Sequence, residues 1–91
     1  MKVVFTVEAL DDLDRILAYI AANYPAISGA FQTRLGAVLA RIGKWPESAQ
    51  EVAERPGVRV VPLIRYPYKV FYRATSEAVE ILYIHHAARD G

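Results

Sequence analysis

Arg65-Tyr66-Pro67-Tyr68-Lys69-Val70-Phe71-Tyr72-Arg73, followed after a short break by Val79-Glu80-Ile81-Leu82-Tyr83-Ile84-His85-His86-Ala87-Ala88-Arg89-Asp90-Gly91, is the stretch whose reading decides the fold. Aromatic and β-branched residues fill both runs and suit a pleated, half-buried surface, while Thr75-Ser76-Glu77-Ala78 supplies the polar break of a tight connection. The two runs read as antiparallel strands that end in a polar cluster of His85, His86, Arg89 and Asp90. Polar tips on a stiff apolar hairpin make a contact surface.

Working outward, Val58 to Ile64 is again β-rich, and Pro62, which cannot donate to a ladder, argues for an edge position or a bulge. Tyr66-Pro67 marks the turn into the next strand. Near the start, Lys2 to Thr6 is short and apolar enough to be a strand, and Thr6 is placed to cap a helix. Leu10, Leu13, Ile16, Leu17, Ile20 and Tyr24 then recur at helical spacing, and Pro25 ends that helix. Asp11, Asp12 and Asp14 lie in its first turns, where they complement the helix dipole; Asp11 can pair with Arg15, and the group reads as a solvated face. Ser28 offers a second cap, Phe31, Leu35, Val38 and Ile42 give a second amphipathic helix, and Gly43 closes it. Trp45-Pro46 leads into Glu47 to Gly57, a polar loop without a period.

The order strand, helix, helix, three strands predicts an α+β domain: an N-terminal strand, an antiparallel helical hairpin, and a three-stranded antiparallel meander completing one sheet. At 91 residues the chain is expected to be a single domain spanning 1–91. Hydrophobic residues make up 54% against 23% charged, a balance given equally by a partner-covered patch or by an efficient alanine-rich core. Without cysteine, disulfides and thiolate sites are excluded, and two adjacent histidines that point to opposite faces of a strand are a poor metal site, so neither metal nor cofactor is expected. No apolar run reaches bilayer length and no signal-peptide layout is present, which predicts a cytoplasmic protein. Residues 1–54 carry five Lys/Arg against seven Asp/Glu, and residues 55–91 six against three. The resulting −2 and +3 are too weak for a general nucleic-acid binder, but the basic half can orient binding to phosphate or carboxylate.

The same order of elements, with Pro46-Glu47, Val58-Arg59-Val60, Arg65-Tyr66-Pro67-Tyr68, Val70-Phe71-Tyr72-Arg73 and Ile84-His85-His86-Ala87-Ala88-Arg89-Asp90, resembles the RelE/ParE superfamily of toxins. It is most similar to the ParE branch, the plasmid stabilisation proteins. The resemblance covers nearly the whole chain. It implies a type II toxin encoded beside a small antitoxin that wraps and blocks it, in a hetero-oligomeric toxin-antitoxin complex.

The branches differ in mechanism. RelE-like members cut messenger RNA on the ribosome, and metal-free RNA cleavage needs groups that deprotonate a 2′-hydroxyl, stabilise the phosphate and protonate the leaving oxygen. On that template Lys69 falls where RelE has an arginine, Arg89 falls on its C-terminal arginine, and His86 is available as an acid or base. Val60 and Pro62 stand where a lysine pair is expected, and the chain stops at Gly91 before the C-terminal tyrosine. The ParE branch poisons DNA gyrase and needs only a binding surface. The resemblance therefore implies a gyrase inhibitor, with Arg65, Lys69, Arg73, His86 and Arg89 as target-binding residues, since arginine offers planar multidentate donors. Two alternatives stay open: a metal-independent endoribonuclease using Lys69, His86 and Arg89, and a non-toxic member that keeps antitoxin binding. Glu80 is a cross-strand partner for Arg73, and Tyr66, Tyr68, Phe71, Tyr72 and Tyr83 are expected in the core.

Overall fold

The computed structural model describes residues 1–89, the side chain of Arg89 excepted. Two helices pack on one face of a five-stranded sheet. In chain order these are β1 (Lys2–Phe5), α1 (Val7–Asn23), α2 (Ser28–Lys44), β2 (Gln50–Glu51), β3 (Arg59–Pro62), β4 (Tyr68–Ala74) and β5 (Ala78–His86). The sheet order is β1-β5-β4-β3-β2, with β1 parallel to β5 and every other pair antiparallel. The α+β architecture, the helical hairpin and the meander are as the sequence predicts. The added strand is β2, two residues inside the segment read as loop, too short for any periodicity to reveal.

Thr6 caps α1 as predicted, its hydroxyl accepting from the Ala9 amide at 3.1 Å. The buried stripe of α1, however, runs through Ala9, Asp12, Ile16 and Ile20, so Leu10 and Tyr24 are exposed. Asp12 is therefore not on a solvated face: it is buried, and Arg15 pairs with it, not with Asp11. After Tyr24 a 3-10 turn, Pro25–Ile27, leads directly into α2. Ser28 is already helical and caps nothing; its hydroxyl accepts from Gln32 instead. Nor does Gly43 close α2, which continues to Lys44. Gly43 is buried where β1 crosses the helix, and a Cβ there would lie 3.0 Å from the Met1 carbonyl and 3.1 Å from a Val3 methyl.

The core lies between helices and sheet. Phe31 and Ile42 of α2 meet Val70 and Tyr72 of β4 and Val79 and Ile81 of β5, all at most 1% exposed. Each contributes roughly 1.5–3 kcal/mol by leaving water. Phe31 sets its ring edge-on to Tyr66 and Tyr68, with centroids 5.3 and 5.8 Å apart. Tyr72 sends its hydroxyl to the Pro46 carbonyl at 2.7 Å, and Arg59 donates to the Ala49 carbonyl at 2.7 Å, so the chain leaving α2 is pinned to the sheet. Pro62 pairs with Lys69 on one side and lies past the end of β2 on the other, the edge position its missing donor requires.

One irregularity in the hairpin decides which side chains face where. Phe71 pairs with Tyr83 but Tyr72 pairs with Ile81, leaving Leu82 as the extra residue of a bulge. Unbroken alternation from Val79 and Ile81 would turn His85 toward the helices and His86 away. The bulge reverses this, so Ile84 and His86 face the helical layer while Tyr83 and His85 face the opposite side.

Candidate functional site

Most of the basic residues singled out from the sequence gather at one end of the sheet, where β4 begins and β5 ends. Arg65 lies in the turn between β3 and β4, Lys69 is the second residue of β4, and His86 is the last residue of β5, paired with Tyr68. The Ala87 amide donates to the Pro67 carbonyl at 2.7 Å, fastening the end of β5 to the β3–β4 turn. A 3-10 turn, Ala87–Arg89, then carries the chain onward from this corner. The side chain of Arg89 and all of Asp90 lie outside the described residues.

The β3–β4 turn is strained. Tyr66 donates its amide to the Leu63 carbonyl at 3.1 Å, closing a four-residue turn whose third residue, Arg65, has φ of +79°. That left-handed geometry is normally filled by glycine. Arg65 is exposed in this short, hydrogen-bonded turn.

Lys69 and Arg73 share the sheet face opposite the helices, and the bulge brings Tyr83 and His85 onto it. Phe71 and Tyr83 stack with centroids 4.8 Å apart, Tyr83 and His85 at 4.4 Å, and the Arg55 guanidinium lies 5.2 Å from the Tyr83 ring centre. His85 stands directly across from Lys69 on β5, while Pro62 stands across from it on β3. Val60, opposite Phe71, occupies the same face. The two β3 residues on this face beside Lys69, Val60 and Pro62, bring no titratable side chain, and beyond them Gln50 of β2 pairs with Val60.

Two of the expected residues differ from the rest, Arg73 by its position along β4 and His86 by the face it occupies. Arg73 sits at the far end of β4 and pairs with Glu80 at 3.1 Å, the cross-strand partner anticipated for it. His86 lies on the helix side, its ring edge-on to Tyr68 at 5.5 Å. Its Nδ1 accepts from the Ala88 amide at 3.2 Å, which leaves Nε2 to carry the proton of the neutral ring.

The family model for the ParE toxin of the type II toxin-antitoxin system parDE matches residues 3–91. The chain belongs to the ParE toxin family. Membership in a toxin-antitoxin system implies an antitoxin partner. A chain of the chromosomal ParDE TA system from P. aeruginosa superposes on this ParE toxin with a TM-score of 0.78 at 24% identity, covering 94% of this chain and 95% of that one. At that identity the likeness establishes the fold. No curated protein matches the chain at a significant level. No helix among the described residues is long and apolar enough to cross a membrane.

Sequence reasoning passed over two residues of this ParE toxin. His85 escaped because the bulge that turns it toward Lys69 has no signature in the hairpin's composition. Asp12 was legible in principle: three residues after Ala9 and four before Ile16, it falls on the buried stripe, but its acidic neighbours Asp11 and Asp14 disguise it.

Proposed function

We propose that this ParE-family toxin inhibits DNA gyrase by binding it and is neutralised by its cognate antitoxin, both in the cytoplasm, with the basic corner of Arg65, Lys69, His86 and Arg89 as the target-binding surface. The observation that carries the reading is the pairing of Lys69 with Pro62, beside Val60, on the face where a metal-free ribonuclease needs a dense set of acid, base and cation. A binding surface needs no such set. The strained Arg65 turn supports the same corner, because an unfavourable backbone geometry persists where its side chain serves a purpose. Arg73 contributes at the margin of that surface, since Glu80 already engages it. Exposed apolar residues on α1 and the following turn, among them Val7, Leu10 and Tyr24, offer the antitoxin a surface away from the corner.

One observation favours a second reading. His85 opposite Lys69 puts an imidazole and an ammonium side by side on an open sheet face, the minimum for general acid–base cleavage of RNA. Supercoiled DNA with gyrase and ribosome-bound message, each incubated with the same protein preparation, separate the two. The binding reading expects gyrase-dependent DNA breaks with intact message, and the alternative expects ordered cuts in the message with gyrase unaffected.

A further inference from the structure

At the start of α1, on the β5 edge that β1 leaves uncovered, Glu8, Asp12 and His85 each offer one ligand atom, and the three atoms lie within 4.8 Å of one another. The Ile84 bond explains the burial of Asp12, but not why Glu8 and His85 converge on it. Glu8 and Asp12 are one helical turn apart on the same element, and Asp12 is only 7% exposed. Two carboxylates at that spacing repel each other. Arg15 meets one oxygen of Asp12 from solvent, and the Ile84 amide meets the other. A carboxylate has about four acceptor positions, so both contacts leave Asp12 able to coordinate an ion. His85 is held by stacking on Tyr83, which restricts its ring before any ion arrives.

We propose that Glu8, Asp12 and His85 form a binding site for a divalent first-row transition ion of the Zn²⁺ type. One imidazole and two carboxylates are the donor mixture that such ions accept, whereas Mg²⁺ and Ca²⁺ favour oxygen alone. Three protein ligands leave a fourth position for water or for a ligand from a partner. Glu8 is exposed and free to close the last fraction of the distance, while Asp12 and His85 are fixed by their surroundings. The bound ion ties the first turns of α1 to β5 beyond the last residue of β1. The sequence alone hides the site, because His85 lies more than 70 positions from Glu8 and Asp12. The inference is independent of the gyrase reading.

The test is calorimetric titration of the untagged full-length chain with ZnCl₂, together with Glu8→Gln, His85→Gln and His86→Gln. The expected result is one Zn²⁺ per chain, at least about tenfold tighter than Mg²⁺, weakened at least about tenfold by Glu8→Gln and by His85→Gln and unchanged by His86→Gln. Free Zn²⁺ at 100 times its Kd should then shift the folding equilibrium about 100-fold, seen as a higher Tm. Absence of Zn²⁺ binding overturns the proposal. So does binding that survives both Glu8→Gln and His85→Gln, or binding that His86→Gln abolishes.

Discussion

The Asp12 carboxylate accepts the backbone amide of Ile84 at 2.9 Å, joining positions 72 residues apart. β1 is only four residues long and pairs with β5 no further than Ile81, so the C-terminal half of β5 would otherwise present a bare edge. Two side chains of α1 and its cap close that edge: Thr6 donates its hydroxyl to the Leu82 carbonyl at 2.8 Å, and Asp12 takes the Ile84 amide. The helix thus continues by side chains what the short strand begins by backbone.

Asp12→Ala leaves the Ile84 amide buried without its acceptor and should cost about 1–3 kcal/mol. Arg15→Ala, which removes only a solvent-exposed partner, should cost well under about 1 kcal/mol. Urea unfolding of the two variants checks this, and equal losses would mean that the ion pair, not the strand contact, is what Asp12 provides.

Helical glycines should respond in opposite directions. At Gly36, in the middle of α2, an added Cβ meets nothing within 4 Å, so Gly36→Ala should stabilise by about 0.5–1 kcal/mol. At Gly43 the same methyl presses on the Met1 carbonyl, which is backbone, so Gly43→Ala should lower the unfolding midpoint despite its better helix propensity.

How much of this was legible in the sequence follows from the kind of signal involved. The hairpin, the two amphipathic helices, the Thr6 cap and the edge placement of Pro62 rest on local periodicity and on single-residue chemistry, and the fold uses them as read. Asp12, His85 and Gly43 depend on what other elements bring alongside. A strand that ends early, a bulge at Leu82 and a close crossing of β1 over α2 are properties of the assembled sheet. Arg65 is an intermediate case: its place in the basic half was readable, but its left-handed backbone was not.

Arg65→Gly separates stability from activity. Glycine adopts φ of +79° without penalty, so the variant should gain roughly 1 kcal/mol in chemical denaturation. On the binding account it should also lose growth inhibition. A variant that is more stable and equally toxic would remove Arg65 from the surface.

The alkaline limit of stability should be set in part by two buried phenols. Burial pushes the Tyr72 and Tyr68 hydroxyls above the ordinary tyrosine pKa of 10.0. Because the fold favours the neutral form, their contribution is whole below pH 10.0, where the unfolded chain begins to ionise, and is lost as pH rises through the folded-state values. Tyr72→Phe should flatten that loss while costing about 0.5–1.5 kcal/mol at neutral pH through the missing bond to Pro46. Denaturation midpoints from pH 8 to 12 test both parts.

Within the corner, Lys69→Ala and Arg89→Ala should relieve growth inhibition while co-purification with the antitoxin persists. Arg73→Ala should change toxicity little, because its cation is engaged by Glu80 on an exposed surface. Unchanged toxicity in both Lys69→Ala and Arg89→Ala would move the target-binding surface elsewhere on the molecule.

The most direct test of the central claim is a paired cleavage assay on one preparation of the toxin, with gyrase and supercoiled DNA in one arm and a translation extract in the other. The account predicts linear, gyrase-dependent DNA and an uncut message. Ordered cuts in the message, with gyrase turning over normally, would contradict it and assign the function to Lys69 and His85 as a ribonuclease pair.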